Sequence, residues 1–195
     1  MILGHHLAVQ IVLETERLVL RRFTEDDVEN LVELDSDPEV MRFINGGRPT
    51  PREEVETVIL PRLLAYYERG DGYGVWAAAE KSTGEFVGWF SLHPTADRPP
   101  DEVELGYRLR RSAWGRRYAT EGSRALVEKA FAELGARVVW AQAMTVNTAS
   151  RRVMEKAGLR YVRTFHLEWS HEIEGTAEGD VEYALMRSEW EKRSR

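Results

Sequence analysis

The stretch from Glu102 to Met144 constrains the fold more than any other part of the chain. EVELGYRLR (102–110) alternates in polarity and predicts a strand. SAWGRR follows at once, with one glycine and two arginines. In the run after it, Ala119, Leu126, Ala130, Phe131 and Leu134 suit an amphipathic helix over Tyr118–Leu134, stopped by Gly135. ARVVWAQAM (136–144) then reads as another strand. Strand, tight turn, helix and strand in this order predict a mixed α/β domain built on one sheet.

The flanking sequence extends the pattern. ERLVLRRF (16–23) alternates as a strand, and Thr24 caps a helix EDDVENLVELD whose first turn is acidic. SDPEVMRFINGGRPTP is a loop with a short helix, and REEVETVILPRLLAYYERG a second helix in which Pro61 predicts a kink or break. GYGVWAAAEKSTGEFVGWFSLHP predicts two strands joined at KSTGE, and TADRPPD a loop. NTASRRVMEKAG is a short helix between the cap Asn147 and the stop Gly158. LRYVRTFHLEW and DVEYALMR close the chain as strands around the polar loop SHEIEGTAEG. The 195 residues are expected to form one domain, 1–195, long enough to bury a core. Trp76, Trp89 and Trp140 are assigned to that core.

Composition removes several function classes. The net charge of −6 argues against a general nucleic-acid binder, although Arg108, Arg110, Arg111, Arg116 and Arg117 make a local basic patch. Without cysteine there is no disulfide, thiol nucleophile or zinc knuckle, and a cytoplasmic location is expected. MILGHHLAVQIVL is apolar but short, lacks a basic leader and is followed by Glu14 and Glu16, so neither a signal peptide nor a membrane span is read. The adjacent His5 and His6 are read as incidental, and no metal site is expected. GxGxxG and GxxxxGK[ST] are both absent, which argues against a nucleotide enzyme.

The turn at SAWGRR suits an anion. A strand-to-helix turn offers free backbone N–H groups and the positive end of a helix dipole. Gly115 allows close approach, the residues Arg116–Ala119 supply N–H groups, and Arg110, Arg111, Arg116 and Arg117 supply charge. The same residues also read as a plain turn with arginines on a solvated face.

VELGYRLRRSAWGRRYATEG, followed by a helix, a strand and VNTASRRVMEKAGL, resembles the GNAT superfamily of acetyl-CoA-dependent N-acyltransferases. Together with ETERLVLRRFTEDD and DVEYALMR it is similar to the RimJ/RimL-like branch, over about Thr15 to Arg187. The superfamily pattern is Gln or Arg, two residues, Gly, one residue, then Gly or Ala. Here Ser112 stands first, Gly115 matches and Arg117 stands last. The resemblance implies a GNAT fold: one mixed, mostly antiparallel central sheet with helices on both faces. It implies acetyl-CoA as cosubstrate and direct transfer to a primary amine, of a peptide N-terminus or a small molecule, in a ternary complex. The rival reading is a non-catalytic CoA-binding sensor or scaffold of the same fold, and a homodimer stays open.

The resemblance also implies roles. Arg110, Gly115, Arg116, Arg117, Tyr118, Ala119 and Thr120 hold the CoA pyrophosphate. Strand backbone around Tyr107 and Leu109 pairs with the pantetheine arm and stabilises the oxyanion, the strand splaying from ARVVWAQAM to admit it. Asn147 contacts the CoA arm, and Ser150 gives the thiolate its proton, with Tyr161 as an alternative. For the base that takes the amine proton, Glu104 shares a strand face with Glu102 and Gly106, and His93 is the second candidate. His166, Glu168 and His171 are weaker candidates. The acceptor groove is expected between Asp37–Pro51, with Phe43, Ile44 and Arg48, and the loop 169–180, with Glu172, Glu174, Glu178 and Asp180.

Overall fold

The computed structural model describes residues 10–169 and 173–193; His5, His6, His171 and Glu172 lie outside them. The described strands are β1 (Ile11–Glu14), β2 (Leu18–Arg22), β3 (Gly74–Glu80), β4 (Phe86–Pro94), β5 (Glu102–Leu109), β6 (Val138–Met144), β7 (Arg160–Phe165) and β8 (Asp180–Met186). They form one sheet in the order β1-β2-β3-β4-β5-β6-β8-β7, antiparallel at every junction except β5/β6. The mixed, mostly antiparallel sheet expected from the sequence is therefore present.

Helices cover both faces. On one lie α1 (Val28–Ser36), α2 (Pro38–Asn45), α3 (Arg52–Glu54) and α4 (Leu60–Ala65). Their Leu31, Leu34, Val40 and Leu60, with Val55 between α3 and α4, pack on Val75, Ala77 and Phe86 of the sheet. On the other lie α5 (Tyr118–Ala132) and α6 (Thr148–Lys156), where Leu126, Phe131 and Met154 meet Leu20, Trp76, Phe90, Leu105 and Val139. The helix α7 (Arg187–Arg193) ends the described chain, with Trp190 tilted against Phe131 at 5.4 Å.

Local chemistry explains the boundaries. Thr24 and Asp27 form a capping box around the 3-10 turn that leads into α1. The Asp37 side chain accepts from Glu39 N at the start of α2, and Gly46, at φ +79°, ends it. The break expected at Pro61 takes the form of a wide π-helical turn, Val55–Ile59, between α3 and α4. Proline has no N–H and its ring crowds the carbonyl four residues back, and the widened turn absorbs both.

Within the sheet, the structure departs from the sequence reading in two places. The run 16–23 is only the second arm of a hairpin, since β1 precedes it. Trp76 and Trp140 are buried, but Trp89 is half-buried beneath the Arg108 guanidinium. Tyr161, the alternative proton donor, is 55 % exposed on the edge strand β7.

Candidate functional site

β5 is bound along most of its length by β4, in register from Pro94↔Val103 to Gly88↔Leu109. Its pairing with β6 stops after Glu102↔Val138, Val103↔Val139 and Glu104↔Trp140. β6 continues against β8 as far as Met144↔Asp180. A wedge therefore opens between Leu105–Leu109 and Ala141–Met144, and one edge of β5 is left without a strand partner among the described residues.

Side chains from both faces hold the diverging end of β5. On the α1 side, Arg108 Nη1 lies 2.6 Å from buried Asp35, and Arg110 Nη2 lies 2.7 Å from Glu33. On the other side, the Tyr107 hydroxyl donates to the Ser150 carbonyl at 3.0 Å and lies 2.9 Å from Ser150 Oγ. Burial raises the Tyr107 phenol well above its ordinary value, so it stays protonated. Asn147 caps α6 by accepting from Ser150 N at 3.1 Å, which sets both residues beside the wedge.

The turn after β5 runs through a 3-10 turn, Arg111–Ala113, to Gly115 at φ +74° and Arg117 at φ +67°, and α5 begins at Tyr118. A Cβ at Gly115 would meet nothing within 4 Å, so this backbone is open to an incoming group. Arg117 holds a left-handed conformation that costs a non-glycine residue about 1–2 kcal/mol. Its side chain and that of Arg111 are exposed and unpaired among the described residues.

Other expected phosphate ligands are turned away. Arg110 shares the face of Glu104 and Arg108 and is committed to Glu33 and Asn30 on α1, so strand alternation removes its side chain from the α5 N-terminus. Arg116 pairs with Glu80 at 2.5 Å, and Tyr118 is buried with its hydroxyl on the same carboxylate. Arg116 and Tyr118 can therefore offer only backbone groups. Ala119 and Thr120 lie half-buried in the first turn of α5. Glu121, which sequence reasoning passed over, binds Arg17 N at 2.8 Å and Thr15 Oγ1 at 2.6 Å, tying the α5 start to the β1–β2 hairpin.

The second half of the site is the α1 face of the sheet. Glu104 sits between His93 on β4 and Trp140 on β6. Its carboxylate accepts no hydrogen bond from a described residue. Burial and then the charge of Asp97, opposed by Arg98, push its pKa up to about 7. His93 stacks on Tyr66 at 5.2 Å, and burial lowers its pKa, helped by Arg62 and Arg69. Asp97 and Arg98 come from the TADRPPD loop, which carried no sequence signal for chemistry.

The bordering loops meet at Gly46, where an added Cβ would touch buried Ile173, and at the Arg42–Glu174 ion pair of 2.7 Å. Phe43 lies beneath the Arg42 guanidinium, Arg48 folds back onto Asn45 O at 3.1 Å, and Ile44 is exposed. Asp180 is buried and accepts from Leu167 N at 3.3 Å, while Glu178 is exposed. His166 and Glu168 are exposed, His166 Nε2 lying 3.4 Å from Ala177 O, and the Tyr161 hydroxyl is engaged with Thr164. Among the described residues, no cluster of three acidic or histidine side chains could hold a metal ion, and no helix is long and apolar enough to cross a membrane.

A model of the acetyltransferase (GNAT) domain matches residues 17–160. The chain belongs to the GNAT acetyltransferase family. This GNAT protein is 38% identical over 190 residues to the FsC-acetyl coenzyme A-N(2)-transacetylase of Aspergillus fumigatus, covering 94% of this chain and 80% of that one. Its fold matches a GNAT-family acetyltransferase from Bacillus anthracis with a TM-score of 0.76 at 23% identity, over 90% of this chain and 98% of that one. It also matches RimL, a ribosomal L7/L12 alpha-N-protein acetyltransferase in complex with coenzyme A, with a TM-score of 0.73 at 18% identity, over 91% and 98%. The GNAT chain is an N-acyltransferase, and acetyl-CoA is its acyl donor.

Proposed function

We propose that this enzyme transfers acetyl from acetyl-CoA directly to a primary amine, of a peptide N-terminus or a small molecule, in a ternary complex. The observation that carries this reading is the wedge between β5 and β6, with the α5 N-terminus at its mouth. The residues fit the cosubstrate. The open edge of β5 can pair with the amides of the pantetheine arm as an added strand would. The amides from Gly115 to Ala119, with Arg111 and Arg117, suit the pyrophosphate, and Asn147 and Ser150 border the arm. The N(2) in the fungal relative's name and the alpha-N-protein acceptor of RimL both support a nitrogen acceptor.

Acetyl-CoA supplies the thioester carbonyl that the amine attacks. Glu104 takes the ammonium proton, directly or through water, from the α1 face. Backbone N–H groups around Tyr107–Leu109 stabilise charge on the carbonyl oxygen. Ser150, backed by the protonated Tyr107 phenol, gives a proton to the departing sulfur. Without cysteine in the chain, no thiol-borne acyl-enzyme forms.

Thiol release with a panel of small amines and N-terminal peptides tests the reading. Release that requires one class of amine supports it, and hydrolysis indifferent to every amine rejects it. Coenzyme A at a hundred times its dissociation constant should add about 2.7 kcal/mol. In a chain of this length that raises Tm by about 5–11 °C in a thermal-shift assay. No shift with millimolar CoA contradicts the wedge as its site. Ser150→Ala should lower kcat by about a hundredfold or more, and most for acceptors where sulfur departure limits the rate. An unchanged kcat in Ser150→Ala together with a depressed one in Tyr107→Phe moves the proton donor to the phenol.

A further inference from the structure

Glu182 and Arg98 lie 84 positions apart in sequence and meet on the Glu104 face of the sheet. Arg98 donates to Glu182 through both arms, Nη1 to Oε1 at 3.1 Å and Nη2 to Oε2 at 2.7 Å. Glu182 is 6% exposed and also accepts from Arg163 at 2.8 Å. The Arg98 guanidinium lies 3.8 Å from the centre of the Trp140 ring, and Trp140 is the strand neighbour of Glu104. Arg98 Nη1 is 4.0 Å from Glu102, two residues before Glu104 on the same face. A carboxylate with no hydrogen bond from a described residue thus stands close to a cation that is held elsewhere.

We propose that Glu182 is a positioning residue for acetyl transfer: it holds both arms of Arg98 over Trp140, keeps that cation from pairing with Glu104, and so leaves Glu104 able to take the amine proton. The kinetic half of this proposal rests on the reading of Glu104 as the base. The amine N–H bond breaks, the proton passes to the Glu104 carboxylate, and it leaves from there to solvent. A guanidinium paired to that carboxylate would lower its basicity and occupy the oxygen that must approach the amine.

The groups facing Glu104 decide the direction. His93 faces it from β4, and burial with Arg62 and Arg69 keeps that ring's pKa low. Trp140 faces it from β6 without charge. Glu102, on its own strand, is engaged by Arg137. Asp97 and Arg98 of the intervening loop are left as the near charges of opposite sign, the first raising and the second lowering the Glu104 pKa. Releasing Arg98 therefore moves Glu104 in one direction, downward.

The test is a carbon-detected NMR titration of the Glu104 carboxyl, assigned by its loss in Glu104→Gln, alongside pH profiles of kcat. In Glu182→Gln the titration should fall by about 1–3 pH units, the range for a carboxylate gaining a close cation. The acidic limb of kcat should follow it and the plateau should drop. Adding Arg98→Gln to Glu182→Gln should bring both back, because the released cation is then absent. Arg98→Gln alone, which leaves Glu182 to Arg163, should move the titration upward. A purely packing role for Glu182 would lower Tm without moving the titration, and that result overturns the proposal. So does an Arg98→Gln titration that stays in place. A titration that moves while the kcat limb does not keeps the restraint of Arg98 and refutes Glu104 as the base.

Discussion

Glu104→Gln should lower kcat by about a hundredfold to ten-thousandfold at neutral pH, with the dissociation constant for coenzyme A unchanged. The amide keeps the shape of the carboxyl and cannot accept the proton. The carboxyl is poised for the task because burial and Asp97 hold its pKa at about 7. The wild-type kcat should fall as pH drops through about 7, and Glu104→Gln should lose that limb. Its deficit should shrink as pH rises toward the pKa of the acceptor, where free amine no longer needs help. His93→Ala should show no such rescue. A near-full rate in Glu104→Gln with a depressed one in His93→Ala would place the base on β4. Full rates in both would mean that catalysis comes from holding amine and thioester together.

The same carboxyl links stability to pH. Its folded pKa lies above its unfolded value, so the folded state binds more protons between the ordinary glutamate range and about 7. Its contribution is fully present below the unfolded pKa and is lost as pH rises through about 7. Glu104→Gln should flatten this decline in a series of denaturant melts, and an unchanged slope would count against a raised pKa.

Gly122→Leu should destabilise the fold by about 3 kcal/mol, a drop in Tm of about 6–12 °C, and abolish coenzyme A binding at temperatures where the fold survives. Gly122 lies on the face of α5 that rests on the sheet. A Cβ there would stand 2.3 Å from Phe90 Cζ and 2.5 Å from its Cε1. Phe90 is fully buried and leans on Tyr107 at 6.3 Å, so the ring has no room to retreat. The helix would have to lift from β4 and β5, carrying its N-terminus off the mouth of the wedge. Gly115→Ala is the comparison, because its Cβ meets open space. It should cost only the strain of a positive φ, about 1–2 kcal/mol, and should weaken CoA binding without larger damage to the fold. Equal stability losses in the two variants would contradict this account of α5 docking.

The core of the site was legible because it is built from local pattern. Alternation fixed β5, the apolar stripe fixed α5, and Asn147 and Gly158 marked the ends of α6 with chemistry that acts within one turn. Other parts depend on contacts that sequence order hides. Arg98 meets Glu182 across 84 positions and Tyr107 meets Ser150 across 43, and neither pairing has a local signature. β1 is four residues long and α7 has little apolar period, so each is stabilised by what it packs on.

The arginines of the basic patch were partly legible. Strand parity alone places Arg110 with Glu104 and Arg108, away from the helix N-terminus. Pooling the five cations by sequence proximity concealed that parity. Arg116 could not be placed by such an argument, because its partner Glu80 lies on another strand.

Amide hydrogen exchange with and without coenzyme A tests the central claim most directly. The β6-facing amides of Leu105–Leu109 have no strand partner among the described residues, and those of Gly115–Ala119 stand at a helix start. Saturating CoA should slow exchange in both segments together, while the Gly88–His93 amides of β4, already within the sheet beside β5, stay as they were. Protection confined to other surfaces, with both segments exchanging as fast as before, would contradict the placement of acetyl-CoA in the wedge.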